Sequence, residues 1–168
     1  MKSKLSIILL LAVVLLAFVP AMNAQTWNGV TGFATYSELG VPGITGGGAG
    51  EVVHVSTYAD FKTYVGSADP YVIIVDNEIQ GKGMDDREDI ISLNSNKTII
   101  GAGAGVMLNG INLDAKGKSN IIIRNIKLRK GRTDGMSFRQ CHHVWVDHCD
   151  LSESYDGLLD FTVGSDYL

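Results

Sequence analysis

The feature that most constrains this 168-residue chain is a short apolar segment that recurs at a fixed step. Thr98-Ile99-Ile100-Gly101, Ile121-Ile122-Ile123-Arg124 and Val144-Trp145-Val146-Asp147 follow one another every 23 residues, and the next step lands on Tyr167-Leu168. A constant period of this length marks stacked supersecondary units, none of which buries its apolar face alone. Helical periodicity is absent from these units. Val/Ile runs punctuated by Gly, Asn, Asp and Ser read as short strands and turns, so the expected fold is all-β, a parallel β-helix rather than a sandwich of hairpins. Leu168 falls where a further strand starts, and no capping turn follows it. An open solenoid end needs a cap, so these residues are expected to be the N-terminal part of a longer protein.

A second repeated frame carries the chemistry. Asn109-Gly110-Ile111-Asn112-Leu113, Asp134-Gly135-Met136-Ser137-Phe138 and Asp156-Gly157-Leu158-Leu159-Asp160-Phe161 look like equivalent turns of the coil. Aligned so, Ile111, Met136 and Leu159 point inward with Leu113, Phe138 and Phe161, while Asn112, Ser137 and Asp160 form an outward column. The third copy has one residue more between its Asp and its first inward position. In a straight strand Asp156 and Asp160 would lie about 13 Å apart, too far to share an ion whose ligand oxygens sit ~2.3–2.6 Å away. A bend beside Gly157 would turn the two carboxylates together, with Asp134 one coil away, about 4.8 Å, as the third ligand. Three such carboxylates repel one another unless a cation resolves the conflict, and an oxygen-only set favours Ca²⁺. The alternative is ordinary turn chemistry, with Asp-Gly pairs in tight turns and Asp160 facing water.

Charge and the ends bound the function classes. Residues 1–24 read as a secretory signal, with Lys2 and Lys4, an apolar run from Leu5 to Val19, Pro20 and small residues before Gln25; a secreted or periplasmic location follows. The run is short for a membrane span, and no membrane association is expected after cleavage. Loss of Lys2 and Lys4 takes the formal charge from -4 to -6. That acidity argues against a nucleic-acid partner and would repel an acidic polymer unless basic residues or a cation line the groove. No Pro/Ser-rich linker divides residues 25–168, so a single domain is expected.

Along the chain, residues 27–45 are an aromatic entry, and Gly46-Gly47-Gly48-Ala49-Gly50 is a flexible lead rather than a phosphate loop, since no Lys-Ser/Thr follows it. Residues 51–56 and 71–76 read as strands. Residues 57–66 read as a short helix capped by Thr57 and stopped by Gly66, with Tyr58, Phe61 and Val65 on one face, covering the open end of the coil. Lys82 to Asp89 is a solvated loop whose acids Asp85, Asp86, Glu88 and Asp89 lack EF-hand spacing. The sequon at Asn96 sits at a strand start and carries little weight. Cys141 and Cys149 are too far apart along an extended strand for a disulfide; Cys149 reads as a buried apolar residue and Cys141 as a turn residue. Trp145, Asp147 and His148 read as structural, because neighbours in a strand face opposite ways. Lys130 and Arg132, close to Asp134, are candidates for substrate carboxylates, with a solvated turn as the alternative.

Asn96 to Gly103, Ser119 to Leu128, the Trp-Val-Asp-His-Cys string from Trp145 and the Asp-Gly-Leu-Leu-Asp string from Asp156 together resemble the pectate lyase family, over about residues 29–168. The resemblance implies a right-handed parallel β-helix that cleaves α-1,4-linked polygalacturonate by Ca²⁺-dependent β-elimination, monomeric when full-length. By position it makes Asp134, Asp156 and Asp160 the Ca²⁺ ligands. It places the catalytic base, an arginine, beyond Leu168, so no catalytic residue is assigned here and the fragment alone is expected to be inactive. The rivals are a pectin lyase acting on methylated polymer and a non-catalytic polysaccharide-binding β-helix.

Overall fold

The computed structural model describes residues 29–82 and 90–168. The signal segment, Trp27 and the acids Asp85, Asp86, Glu88 and Asp89 lie outside the described residues. Aliphatic side chains at every second position make each strand apolar on one face, and the chain buries these faces by coiling them on one another. Three parallel sheets result, a β-solenoid of about five turns. The first stacks β3 (Glu51–Val55), β4 (Tyr71–Val75), β7 (Lys97–Gly101), β10 (Ser119–Arg124) and β13 (His142–Asp147). The second stacks β5 (Ile79–Gln80), β8 (Val106–Asn109), β11 (Ile126–Arg129) and β14 (Asp150–Ser152), and the third β6 (Ile90–Ser92), β9 (Asn112–Lys116), β12 (Met136–Arg139) and β15 (Leu159–Thr162). A small antiparallel pair, β1 (Ser37–Glu38) and β2 (Val41–Pro42), precedes them.

Inside, equivalent residues stack in ladders. Val53, Ile73, Ile99, Ile123 and Val146 form one; Ile79, Leu108, Leu128 and Leu151 another; Ile91, Leu113, Met136 and Leu159 a third. Phe138 lies face to face on Phe161 with ring centroids 5.0 Å apart. Each fully buried rung stabilises the coil by about 1.5–3 kcal/mol. The corners repeat too: Asn96, Asn120 and His143 hold positive φ at successive coils, as do Asn125 and His148, a conformation in which Asn and His are enriched.

The register departs from the expected one in two places. Lys97 faces Ile121, a step of 24 rather than 23, because the turn between β7 and β8 is longer than its counterpart between β10 and β11 by more than the β8–β9 turn is shorter than the β11–β12 loop. In the third sheet Leu113, not Ile111, aligns with Met136 and Leu159, and Asp114, not Asn112, aligns with Ser137 and Asp160. Asn112 is buried.

Helix α1 (Tyr58–Gly66) matches its sequence signals: the Thr57 side chain accepts from the Asp60 amide, and Phe61 and Val65 are buried against β4 and β6. The glycine run is not a flexible lead. Gly46 and Gly47 are buried on the outer face of the first sheet, where Asn120 Oδ1 accepts from the Thr45 and Gly46 amides, each at 2.7 Å, and Gly47 N donates to Thr98 Oγ1 at 2.9 Å. A Cβ on Gly47 would collide with the Tyr71 carbonyl, so close approach is what requires glycine there. Cys141 lies in the turn before β13, as expected, but burial differs from the expectation. Cys141 is the fully buried one and Cys149 is half-buried; both are free, and burial pushes both thiols up. No helix among the described residues is long and apolar enough to cross a membrane.

Candidate functional site

The acidic residues meet where the coil turns from the second sheet into the third. Asp134 sits on the short loop between β11 and β12, and Asn112 fixes that loop from the coil before. The Asn112 amide nitrogen donates to Thr133 Oγ1 at 3.1 Å and to the Asp134 carbonyl, while its oxygen accepts from Arg132 N at 2.6 Å. A buried side chain that spends its donors and its acceptor on one loop sets that loop's path. On the following coil the chain bends through residues 155–158 before β15 starts at Leu159. Asp156 N donates to the Thr133 carbonyl at 3.0 Å and Gly157 N to Asp134 Oδ1 at 3.0 Å. The residue extra to the frame is therefore taken up in this bend rather than in a strand bulge.

Gly157 is the hinge of the arrangement. A Cβ built on it would stand 2.6 Å from Asp160 Oδ1 and 3.0 Å from Asp134 Oδ1. Two carboxylate oxygens from adjacent coils thus flank one glycine, and the absence of a side chain there makes room for both. Asp134 and Asp160 are half-buried, whereas Asp156 is exposed. Among the described residues no three acidic, His or Cys side chains gather into an ion-holding group. The structure brings two of the three expected ligands together and leaves Asp156 beside them, facing solvent. The pair supplies hard carboxylate oxygens and no nitrogen or sulfur, a donor set suited to Ca²⁺ rather than to a transition metal.

A groove of ≈ 340 Å³ runs along the outer face of the third sheet, lined by Asp114, Thr133, Asp134, Ser137 and Arg139 among others. Asp114 and Arg139 do not stand out in the repeated motifs. The signal that finds Asp114 is the 23-residue step itself, counted back from Ser137. Lys130 is exposed at a corner with positive φ and lines a second groove with Glu78, Arg129 and Glu153. Arg132 is half-buried, its backbone held by Asn112. On the first sheet Asp147 accepts from Arg124 Nε at 3.0 Å and lies 2.6 Å from His148 Nδ1. The expectation that Asp147 and His148 point apart fails because His148 is a corner residue at φ 49. The ion pair between adjacent coils accords with a structural role.

Comparison with known proteins settles the family. A family model described as pectate lyase matches residues 1–165. The chain belongs to the pectate lyase family. Pectate lyase A of Aspergillus niger is 38% identical over 136 residues, covering 75% of this chain and 41% of that protein. The pectate trisaccharide-lyase of Thermotoga maritima is 31% identical over 178 aligned positions, covering 99% of this chain and 47% of the relative. Among solved structures, a pectate lyase from Bacillus sp. N165 in complex with trigalacturonate superposes with a TM-score of 0.60 at 26% identity, covering 71% of this chain and 41% of that one. The thermostable pectate lyase PL 47 superposes at 0.69 with 18% identity over 87% of this chain and 57% of its own, which speaks for the fold. The chain spans less than half the length of these curated relatives, 41% and 47%.

Proposed function

We propose that this chain is part of a secreted pectate lyase that cleaves α-1,4-polygalacturonate by Ca²⁺-dependent β-elimination. The observation that carries the reading is the convergence of the Asp134 and Asp160 carboxylates, from adjacent coils, on the space that a side chain at Gly157 would fill. Asp134, Asp160 and, after a turn of its exposed side chain, Asp156 would hold the ion. When bound, Ca²⁺ would neutralise the substrate carboxylate next to C5 and so lower the cost of removing the C5 proton. The chain's own residues do the positioning. Asn112 fixes the Asp134 loop and the Gly157 amide orients the Asp134 carboxylate, while Lys130 and Arg132, on the same loop as Asp134, would meet substrate carboxylates. No residue here is assigned as base: Arg124 pairs with Asp147 and Arg139 with Asp114, and a guanidinium stays protonated. The resemblance assigns the proton to an arginine of a later coil. The match to relatives named pectate lyase, and a structural neighbour holding trigalacturonate, support the substrate class. Residues 1–24 would direct export, and a monomer fits a coil that closes its own core.

The test is elimination itself. The full-length protein, given polygalacturonate, should release unsaturated products that absorb in the ultraviolet, and a chelator should stop this. Activity that survives chelation, or a preference for highly methylated pectin, would overturn the metal assignment in favour of a pectin lyase; binding without turnover would favour a non-catalytic β-helix.

A further inference from the structure

The outer face of the third sheet carries two parallel rows of side chains. Ser92, Asp114, Ser137 and Asp160 stand in register in one row. Two residues further along each strand stand Lys116, Arg139 and Thr162. The alternate positions Leu113, Ala115, Met136 and Phe138 are buried, so both rows face the groove side. One row carries the carboxylates of Asp114 and Asp160; the other carries the cations Lys116 and Arg139.

Arg139 is held in an unusual way for a surface cation. Its Nη2 lies 3.1 and 3.3 Å from the two oxygens of Asp114 on the preceding coil, while its side chain remains 47% exposed. A guanidinium offers five N–H donors in a rigid fork, and Asp114 takes one edge nitrogen. Among the described residues nothing else meets the remaining donors. Asp114 thus anchors one nitrogen of the fork and leaves the others for a ligand in the groove that Arg139 lines. Strand geometry sets Arg139 about 8 Å from Asp160, one coil across and two residues along. A chain of uronates laid with one carboxylate at Asp134 and Asp160 would bring a neighbouring carboxylate past these nitrogens.

We propose that Arg139, supported by Lys116 on the coil before, is a carboxylate-binding subsite that reads the free acid of a second uronate and holds the polymer along the sheet. The proposal rests on the polyuronate reading above. Arg139 acts on binding and not on the proton transfer. A bidentate fork-to-carboxylate pair discriminates free acid from methyl ester, because the ester has neither the charge nor two equivalent acceptor oxygens. Lys at this position would keep the charge and lose the fork.

The experiment compares full-length wild-type protein with Arg139→Gln and Arg139→Lys. Titration of a defined oligogalacturonate in the presence of Ca²⁺ gives the affinity, and steady-state lyase assays on polygalacturonate and on highly methylated pectin give KM and kcat. Arg139→Gln removes the charge and the fork while leaving a polar side chain. It should weaken oligogalacturonate binding and raise KM about tenfold, the scale of a charged hydrogen bond discounted for exposure. It should leave kcat near wild type and change the methylated substrate little; Arg139→Lys should recover part of the loss. Unchanged affinity in Arg139→Gln overturns the proposal, and so does an equal loss on both substrates or a fall in kcat alone. Lack of turnover in the wild-type protein would sink the lyase reading only, since the titration reads Arg139 by itself.

Discussion

Replacing Gly157 by alanine should weaken ion binding without unfolding the coil. The added Cβ would lie 2.6 Å from Asp160 Oδ1, 3.0 Å from its Cγ and 3.0 Å from Asp134 Oδ1. The first distance is well inside carbon–oxygen contact, so the Asp160 carboxylate must swing away and the Asp134 carboxylate must yield by some tenths of an ångström. Both obstacles are the ends of side chains, and Gly157 does not hold a left-handed φ. The backbone therefore accepts alanine, and the usual gain of ~0.4–1 kcal/mol from a stiffer unfolded chain offsets the local crowding. Affinity behaves differently. Displacing groups that orient metal ligands costs on the order of 10- to 100-fold. Calcium titration calorimetry on the full-length protein and on Gly157→Ala should show that loss, while thermal unfolding in chelator should move by no more than a few degrees. Unchanged calcium affinity would refute the reasoning. A large fall in the chelator melting temperature would also refute it, because the glycine would then be serving the fold rather than the carboxylates.

Two further outcomes follow from the same geometry. Asn112→Ala removes three buried hydrogen bonds to residues 132–134; at about 1 kcal/mol each it should destabilise the protein by about 3 kcal/mol in denaturant unfolding and loosen the Asp134 loop, read as faster amide exchange at residues 131–135. Cys141, fully buried with its thiol pushed up by burial, should resist alkylation in the folded protein, whereas denaturant should expose two free thiols. A count of zero thiols in denaturant without reductant would show a disulfide instead.

Much of the fold is legible in the chain because a solenoid writes its repeat into the sequence. The recurrence of Ile121 to Arg124 at Val144 to Asp147 holds in space with the step unchanged, and Thr57, Phe61 and Val65 mark α1 by capping and burial together. What escapes is register. The turns between strands are free to gain or lose a residue, so Val106 faces Ile126, a step of 20, while Lys97 faces Ile121, a step of 24. Aligning the coils on the Asn109-Gly110 and Asp134-Gly135 pairs put Asn112 on the outside, when it is the burial of Leu113 that sets the phase. For the same reason the groove residues Asp114 and Arg139 are hard to see, since they belong to no repeated motif. Asp134 and Asp160 were legible from their frame, but the role of Gly157 between them depends on a bend that spacing alone does not define.

The most direct test is a crystal structure of the full-length protein soaked in calcium. The account predicts a single ion bound between Asp134 and Asp160 beside Gly157, with Asp156 turned in to complete the set. Carboxylates left in place around solvent at saturating calcium, or an ion held elsewhere without Asp160, would contradict it.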